Sequence, residues 1–129
     1  MPDSDAPLSL LLVEDDPTMR LFLTRLLQNA YAVTSVETGQ AALDWCADEG
    51  LPDLLVLDLG LPDRPGHDVL AALRDAHGLD GMGVLVLSGD ESSEASVQSL
   101  ALGADDHLDA PFNPEELRLR LTRVHPPRT

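Results

Sequence analysis

Short aliphatic runs alternate with longer amphipathic stretches along this chain. Leu8–Val13, aliphatic but for Ser9, and Leu54–Leu57 are apolar runs too short for helices, the pattern of strands buried on both faces. Ala32–Val36, Val84–Leu87 and the weaker Asp106–Asp109 are three further candidate strands. Between them lie segments with helical spacing. Pro17 occupies a first helical position after Asp16 as cap, and Met19, Leu21, Phe22, Leu23, Leu26 and Leu27 then form a broad apolar stripe. Thr38 caps a second helix, which mixes Ala41, Ala42, Leu43 and Trp45 with Gln40, Asp44 and Asp48 and ends at Gly50 and Pro52. Gly60–Gly66, holding Pro62 and Pro65, reads as a loop. Val69–Ala76 is a third helix closed by Gly78, and Glu94–Leu102 a fourth stopped by Gly103. Pro114–Val124 is the last, terminated by His125, Pro126 and Pro127.

Repeated β/α alternation with short joins predicts an α/β fold, a doubly wound five-stranded parallel sheet covered by helices on both faces. Right-handed crossovers leave few topologies, and the order 2-1-3-4-5 is expected. The domain spans residues 8–124, with tails at 1–7 and 125–129. In such sheets functional groups gather beyond the carboxyl ends of the strands. Those ends carry Glu14-Asp15-Asp16 after the first strand, Asp58 after the third and Ser88 after the fourth.

Composition narrows the picture. The 129 residues fit one domain, and with 43% apolar but only 3% aromatic residues the core is aliphatic. A net charge of −15 argues against binding of nucleic acid or an anionic membrane by this domain. All 8 basic residues are arginine, so the chain has no lysine. No apolar run approaches the roughly eighteen residues of a membrane helix, and the opening MPDSDAP does not read as a signal peptide. A single cysteine, Cys46, excludes an internal disulfide and suits a cytoplasmic protein; beside Trp45 it is expected at the edge of the core. His67, His77 and His125 show no metal-site spacing, and no strand is followed by a nucleotide-binding glycine loop.

The strand ends hold the candidate chemistry. If the first and third strands are neighbours, Asp15 and Asp58 converge with Glu14 or Asp16 close by. Crowded carboxylates raise one another's pKa values unless neutralised. A hard divalent cation such as Mg²⁺, which takes a few carboxylate oxygens and keeps several waters, answers that need.

The segments LLLVEDDPTMR, LLVLDLGLPDRPG, VLVLSGD and LGADDHLDAPFNPEEL, in this order from about Leu8 to Val124, resemble the successive motifs of bacterial response-regulator receiver domains. The resemblance implies the flavodoxin-like receiver fold and a phosphoacceptor role for Asp58. It makes Asp15 a direct metal ligand, Glu14 a ligand acting through metal-bound water, and Gly60 a ligand through its backbone carbonyl. The spacing to Arg20 favours Glu14–Asp15 as the acidic pair and leaves Asp16 as a helix cap. Ser88 matches the hydroxyl that senses the phosphoryl group. The resemblance further implies Mg²⁺ as cofactor, a histidine kinase or phosphotransfer protein as partner, and a cis peptide before Pro111. A receiver of this kind promotes its own phosphorylation and dephosphorylation without being a turnover enzyme.

Two positions depart from the family. Receivers carry a lysine where this chain has Ala110, which implies altered switching; Arg64 is the nearest basic residue in sequence that could substitute. The usual aromatic switch position is His107, whose plain expectation is a surface histidine. Asp105, Asp106 and Arg120 resemble the last-helix dimer face of DNA-binding regulators, although Ser96 stands where those proteins offer a basic residue, so a homodimer is an expectation with one element missing. The alternative function is a non-phosphorylated pseudo-receiver acting as a docking module; a phosphatase using Asp58 as a turnover nucleophile shares only Asp58-x-Gly60. A stand-alone receiver and the front end of a longer regulator both remain open.

Overall fold

The computed structural model describes residues 6–89 and 93–124, without the side chains of Ser93, Glu94 and Ser96. The elements are β1 (Leu8–Val13), α1 (Pro17–Leu27), β2 (Tyr31–Val36), α2 (Gly39–Glu49), β3 (Leu54–Asp58), α3 (Gly66–His77), β4 (Gly83–Ser88), α4 (Ser93–Ala101), β5 (Asp106–Asp109) and α5 (Pro114–Arg123). All five strands are parallel, in the order β2-β1-β3-β4-β5. The expected architecture and strand order are those observed.

The aliphatic runs are continuous because both faces of the central strands are covered. Side chains alternate across a strand, and the two sets enter different cores. Leu11, Val13, Leu55, Leu57, Val84 and Val86 pack with Ala42, Cys46, Val69, Leu70 and Leu73 from α2 and α3. Leu10, Leu12, Leu54, Val56, Leu85 and Leu87 pack with Leu23 and Leu27 of α1 and Leu117 and Leu121 of α5. At the amino end of the sheet, Asp53 joins β1 to β3: its Oδ2 accepts from the Ser9 N–H at 2.8 Å, and the Asp53 N–H donates to Ser9 Oγ at 2.9 Å.

Several local expectations need correction. The α1 stripe is narrower than its sequence pattern: Leu23 and Leu27 are buried, whereas Leu21 and Phe22 are 53% and 45% exposed. One face of a helix meets the sheet, and six apolar positions span more than that face. Cys46 lies in the core itself, fully buried, and burial pushes its thiol pKa up. The loop after β3 ends one residue earlier than expected, since Gly66 opens α3 instead of closing the loop. A Cβ at Gly66 would meet the Asp58 carbonyl oxygen and Leu59 Cα, both at 2.7 Å. The missing side chain therefore lets α3 start hard against the end of β3. The tails lie outside the described residues apart from Ala6 and Pro7, as does the helix-terminating His125-Pro126-Pro127.

Candidate functional site

Strand register brings the acids together. Val13 is paired with Leu57, so Glu14, the residue just past β1, comes level with Asp58 at the end of β3. Asp58 is in turn paired with Leu87, one residue before Ser88, and Ser88 with Asp109, one residue before Ala110. The β1–α1 turn is held by two devices. Asp16 Oδ1 accepts from the Thr18 N–H at 3.0 Å and caps α1 as expected. The Arg20 guanidinium donates to the Glu14 carbonyl at 3.0 Å and pairs with Glu37 at 3.1 Å. Arg20 thus braces the backbone of the acidic turn and does not neutralise its carboxylates.

Glu14, Asp15 and Asp58 each offer a carboxylate oxygen, and these atoms lie within 4.8 Å of one another. Glu14 is buried, 6% exposed, and its Oε2 accepts from the Asp16 N–H at 3.2 Å. Burial pushes the Glu14 carboxyl up to about 8; the charge of Asp58 and hydrogen bonds to Asp58 and Asp15 act in the same direction, against the Asp16 N–H. Asp58 is half-buried and its Oδ1 accepts from the Gly60 N–H at 3.1 Å.

The acids open into a cleft of about 240 Å³ that is also lined by Asp16, Met19, Leu87, Ser88, Gly89, Ala110 and Phe112. None of these lining residues is basic. Among the described residues, three carboxylate oxygens converge with no basic side chain in the lining, a hard, all-oxygen donor set that suits a divalent cation of the Mg²⁺ kind. Arg64 does not reach this cleft: its Nη1 lies 3.5 Å from Gln40 Oε1 and its stem packs where a Cβ on Gly39 would stand. Arg64, the nearest basic residue in sequence, is thus absent from the lining of the cleft and does not take the place of the family's lysine there.

Ser88 is buried at 3% exposure, and its carbonyl accepts from the Ala110 N–H at 2.7 Å. The peptide between Ala110 and Pro111 is cis, as the resemblance implies. His107 is not a surface histidine: its side chain is 5% exposed. Leu108 packs with the α1 and α5 core, so alternation turns His107 and Asp109 to the opposite face of β5. There His107 Nδ1 lies 3.3 Å from Asp109 Oδ1, while Nε2 is buried without a hydrogen-bond partner. Asp106, on the α5 face, forms a two-point ion pair with Arg120 at 2.9 and 3.0 Å, and Arg120 also holds Glu116 at 3.0 Å.

Sequence reasoning left three site features unread. Met19 from α1 and Phe112 from the segment before α5 meet at the cleft. His67 Nε2 meets the fully buried Ser99 Oγ at 2.8 Å, tying α3 to α4. Asp63 reaches the start of α2, accepting from the Gly39 and Gln40 N–H groups, both at 2.9 Å. An acid in a loop carries no local signal of such a bond, because its partners are fixed only by packing.

Among the described residues no helix is long and apolar enough to cross a membrane. The family model described as response regulator receiver domain matches residues 10–122. The transcriptional regulatory protein KdpE of Mycobacterium tuberculosis is 41% identical over 112 residues, covering 86% of this chain and 48% of that protein. The chain thus spans about half the length of such curated relatives. Among solved structures, the BeF3-activated receiver domain of DrrB, a Thermotoga maritima protein, is similar with a TM-score of 0.81 at 28% identity, over 92% of this chain and 97% of that one. A CheY-like response regulator receiver domain protein from Methanospirillum hungatei superimposes with a TM-score of 0.83 at 27% identity, over 92% and 93% of the two chains. With the family model spanning nearly the whole folded unit, its order of strands and its acidic cleft, the chain belongs to the response regulator receiver domains.

Proposed function

We propose that this receiver accepts a phosphoryl group on Asp58, with Mg²⁺ bound, from a histidine kinase or phosphotransfer protein. The observation that carries the reading is the convergence of Glu14, Asp15 and Asp58 in a cleft that also holds Ser88. Asp15, Asp58 and the Gly60 carbonyl would hold the ion directly and Glu14 through water. Bound Mg²⁺ supplies the positive charge that offsets three carboxylates and the transferring phosphoryl oxygens.

The chain's own residues do the rest. A carboxylate oxygen of Asp58 attacks phosphorus, a P–O bond to Asp58 forms, and the bond to the donor's nitrogen breaks; the donor imidazole leaves with the electron pair and takes a proton. The Gly60 N–H on Oδ1 keeps the carboxylate oriented for this approach. Hydrolysis of the acyl phosphate returns Asp58 to its starting state, so the domain is a signalling element with no substrate turned over.

Ser88 stands beside the phosphoacceptor and follows the added charge as a hydrogen-bond donor. His107 is the element that reads the change. Its inward position leaves Nε2 unpaired, a burden of ~1–3 kcal/mol that an outward position relieves. Ala110 gives the phosphoryl group no cation, which favours a second reading, a docking module that no longer switches. Intact-mass spectrometry after brief treatment with acetyl phosphate separates the two. One added phosphoryl group, present with Mg²⁺ and absent with chelator, is the expected result. No added mass on folded protein sinks the phosphoacceptor reading and leaves the docking module.

A homodimer through α4, β5 and α5 belongs to the same proposal. Val97, Leu100 and Leu119 are exposed there at 65%, 49% and 62%, while Arg120 is engaged within its own chain by Asp106 and Glu116. Light scattering is expected to show a dimer when a beryllofluoride phosphoryl mimic is bound; a monomer mass under those conditions removes the dimer from the account.

A further inference from the structure

We infer that Asp63 is a positioning residue for the phosphoacceptor cleft, acting by fastening the Gly60 loop to the start of α2. The inference rests on the reading of Asp58 as a phosphoacceptor beside a bound cation. The loop 59–65 carries Gly60 and is held at its near end by the sheet. The Leu59 N–H donates to the Leu87 carbonyl at 3.0 Å and the Leu59 carbonyl accepts from the Gly66 N–H at 3.0 Å. The Leu59–Gly66 bond closes the two ends of the loop on each other, and Asp63 holds its middle.

The two carboxylate oxygens of Asp63 take the first two N–H groups of α2, Gly39 and Gln40, at 2.9 Å each. The third, Ala41, donates at 3.0 Å to Thr38 Oγ1, the helix's local cap. Those donors have no partner within the helix, and the helix dipole adds a positive end to which a carboxylate is drawn. The pairing is tight enough to hold the Asp63 carboxyl below its usual range, through the hydrogen bonds from Gln40 and then Gly39.

The anchor itself is rigid. Ala42 and Cys46 seat α2 in the core with no exposure, and a Cβ on Gly39 would strike Val69 Cγ2 and Arg64 Cγ at 2.6 and 2.7 Å. The lack of a side chain at Gly39 is what lets the loop and α3 close on the helix end. Leu61, 9% exposed, is buried in the same core between the two fixed points. Gly60 therefore sits in a short span tied at both ends, and its N–H and carbonyl are placed by that tie. Asp63 touches neither the cleft nor its acids; it acts through the backbone.

The same helix supplies its own control. Thr38→Ala removes a cap from α2 without releasing the loop, whereas Asp63→Ala removes caps and releases the loop together. Calorimetric titration with Mg²⁺ alone, on the intact chain, reads the difference, with thermal melts of each variant alongside. Asp63→Ala is expected to weaken Mg²⁺ binding roughly tenfold, the scale typical of groups that orient ligands without touching the ion. Asp63→Asn, which keeps an acceptor oxygen for α2, is expected to recover much of that loss. Thr38→Ala is expected to lower the melting temperature yet leave the Mg²⁺ affinity as in the unmodified protein. The inference is overturned if Asp63→Ala binds Mg²⁺ like the unmodified protein, or if Thr38→Ala weakens binding as much. Unmodified protein that binds no Mg²⁺ overturns the cation reading of the cleft and this inference with it.

Discussion

Replacing Asp58 with asparagine is expected to abolish phosphoryl transfer to this protein and to stabilise the metal-free fold. The first effect follows from chemistry. An amide oxygen in place of the carboxylate lacks the charge and nucleophilicity to attack phosphorus. The second follows from crowding: a carboxylate oxygen of Asp58 lies within 4.8 Å of one of Asp15. Like charges at such separations repel, and partial solvation reduces the penalty to ~1 kcal/mol. That corresponds to a rise of roughly 4 °C in Tm for a domain of this size. The gain should vanish at saturating Mg²⁺, because the ion removes the repulsion in the unmodified protein. Intact mass and thermal melts with and without Mg²⁺ check both effects. A phosphoryl group still acquired by the Asp58→Asn variant would mean that another residue is the acceptor.

The second large effect is expected from Ala110→Lys. Ala110 lines the same cleft as Asp58 and Ser88, and its N–H donates to the Ser88 carbonyl at 2.7 Å. A lysine there brings an ammonium into a cleft whose present lining is acidic, hydroxylic and apolar. A charge-assisted hydrogen bond to the phosphoryl group contributes about 1.5–3 kcal/mol, which corresponds to roughly tenfold to hundredfold in rate or affinity. Faster phosphorylation by acetyl phosphate, tighter binding of beryllofluoride, or both are therefore expected. The two measurements also separate roles. A gain in affinity for the mimic with an unchanged rate assigns the ammonium to holding the phosphorylated state. Behaviour identical to the unmodified protein in both would refute the account of Ala110.

The two substitutions act on different parts of one charge balance. Asp58→Asn removes a negative charge and the proposed nucleophile; Ala110→Lys adds a positive charge that the lining residues of the cleft lack. Their contrast also bears on the docking-module reading. A chain that served only as a docking surface would gain stability from both changes and lose no reaction from the first.

The strands, their parallel stacking and the acids at their ends were legible in the sequence because local pattern carries them. A run such as Leu54–Leu57 has no polar position, and only a strand covered on both faces needs that. Gly and Pro at the joins then mark where each run stops. The reading of Asp58 as acceptor rests on motif resemblance, not on pattern, since an acid after an apolar run is common in any loop.

Tertiary structure decided what depends on distance across the fold. Glu14 is level with Asp58 only because β1 and β3 pair in one register, and its high pKa follows from the burial that this pairing creates. The His107 side chain, on the face of β5 opposite Leu108, is only 5% exposed, which no single histidine in a weak strand announces. Leu21 and Phe22 are exposed because one helix face meets the sheet, although their periodicity alone made them core candidates. The bond from Asp63 to Gly39 and Gln40 spans 24 and 23 residues. Local sequence sets which groups need partners, such as the free N–H groups at a helix start; the packing of distant elements decides which residue meets them.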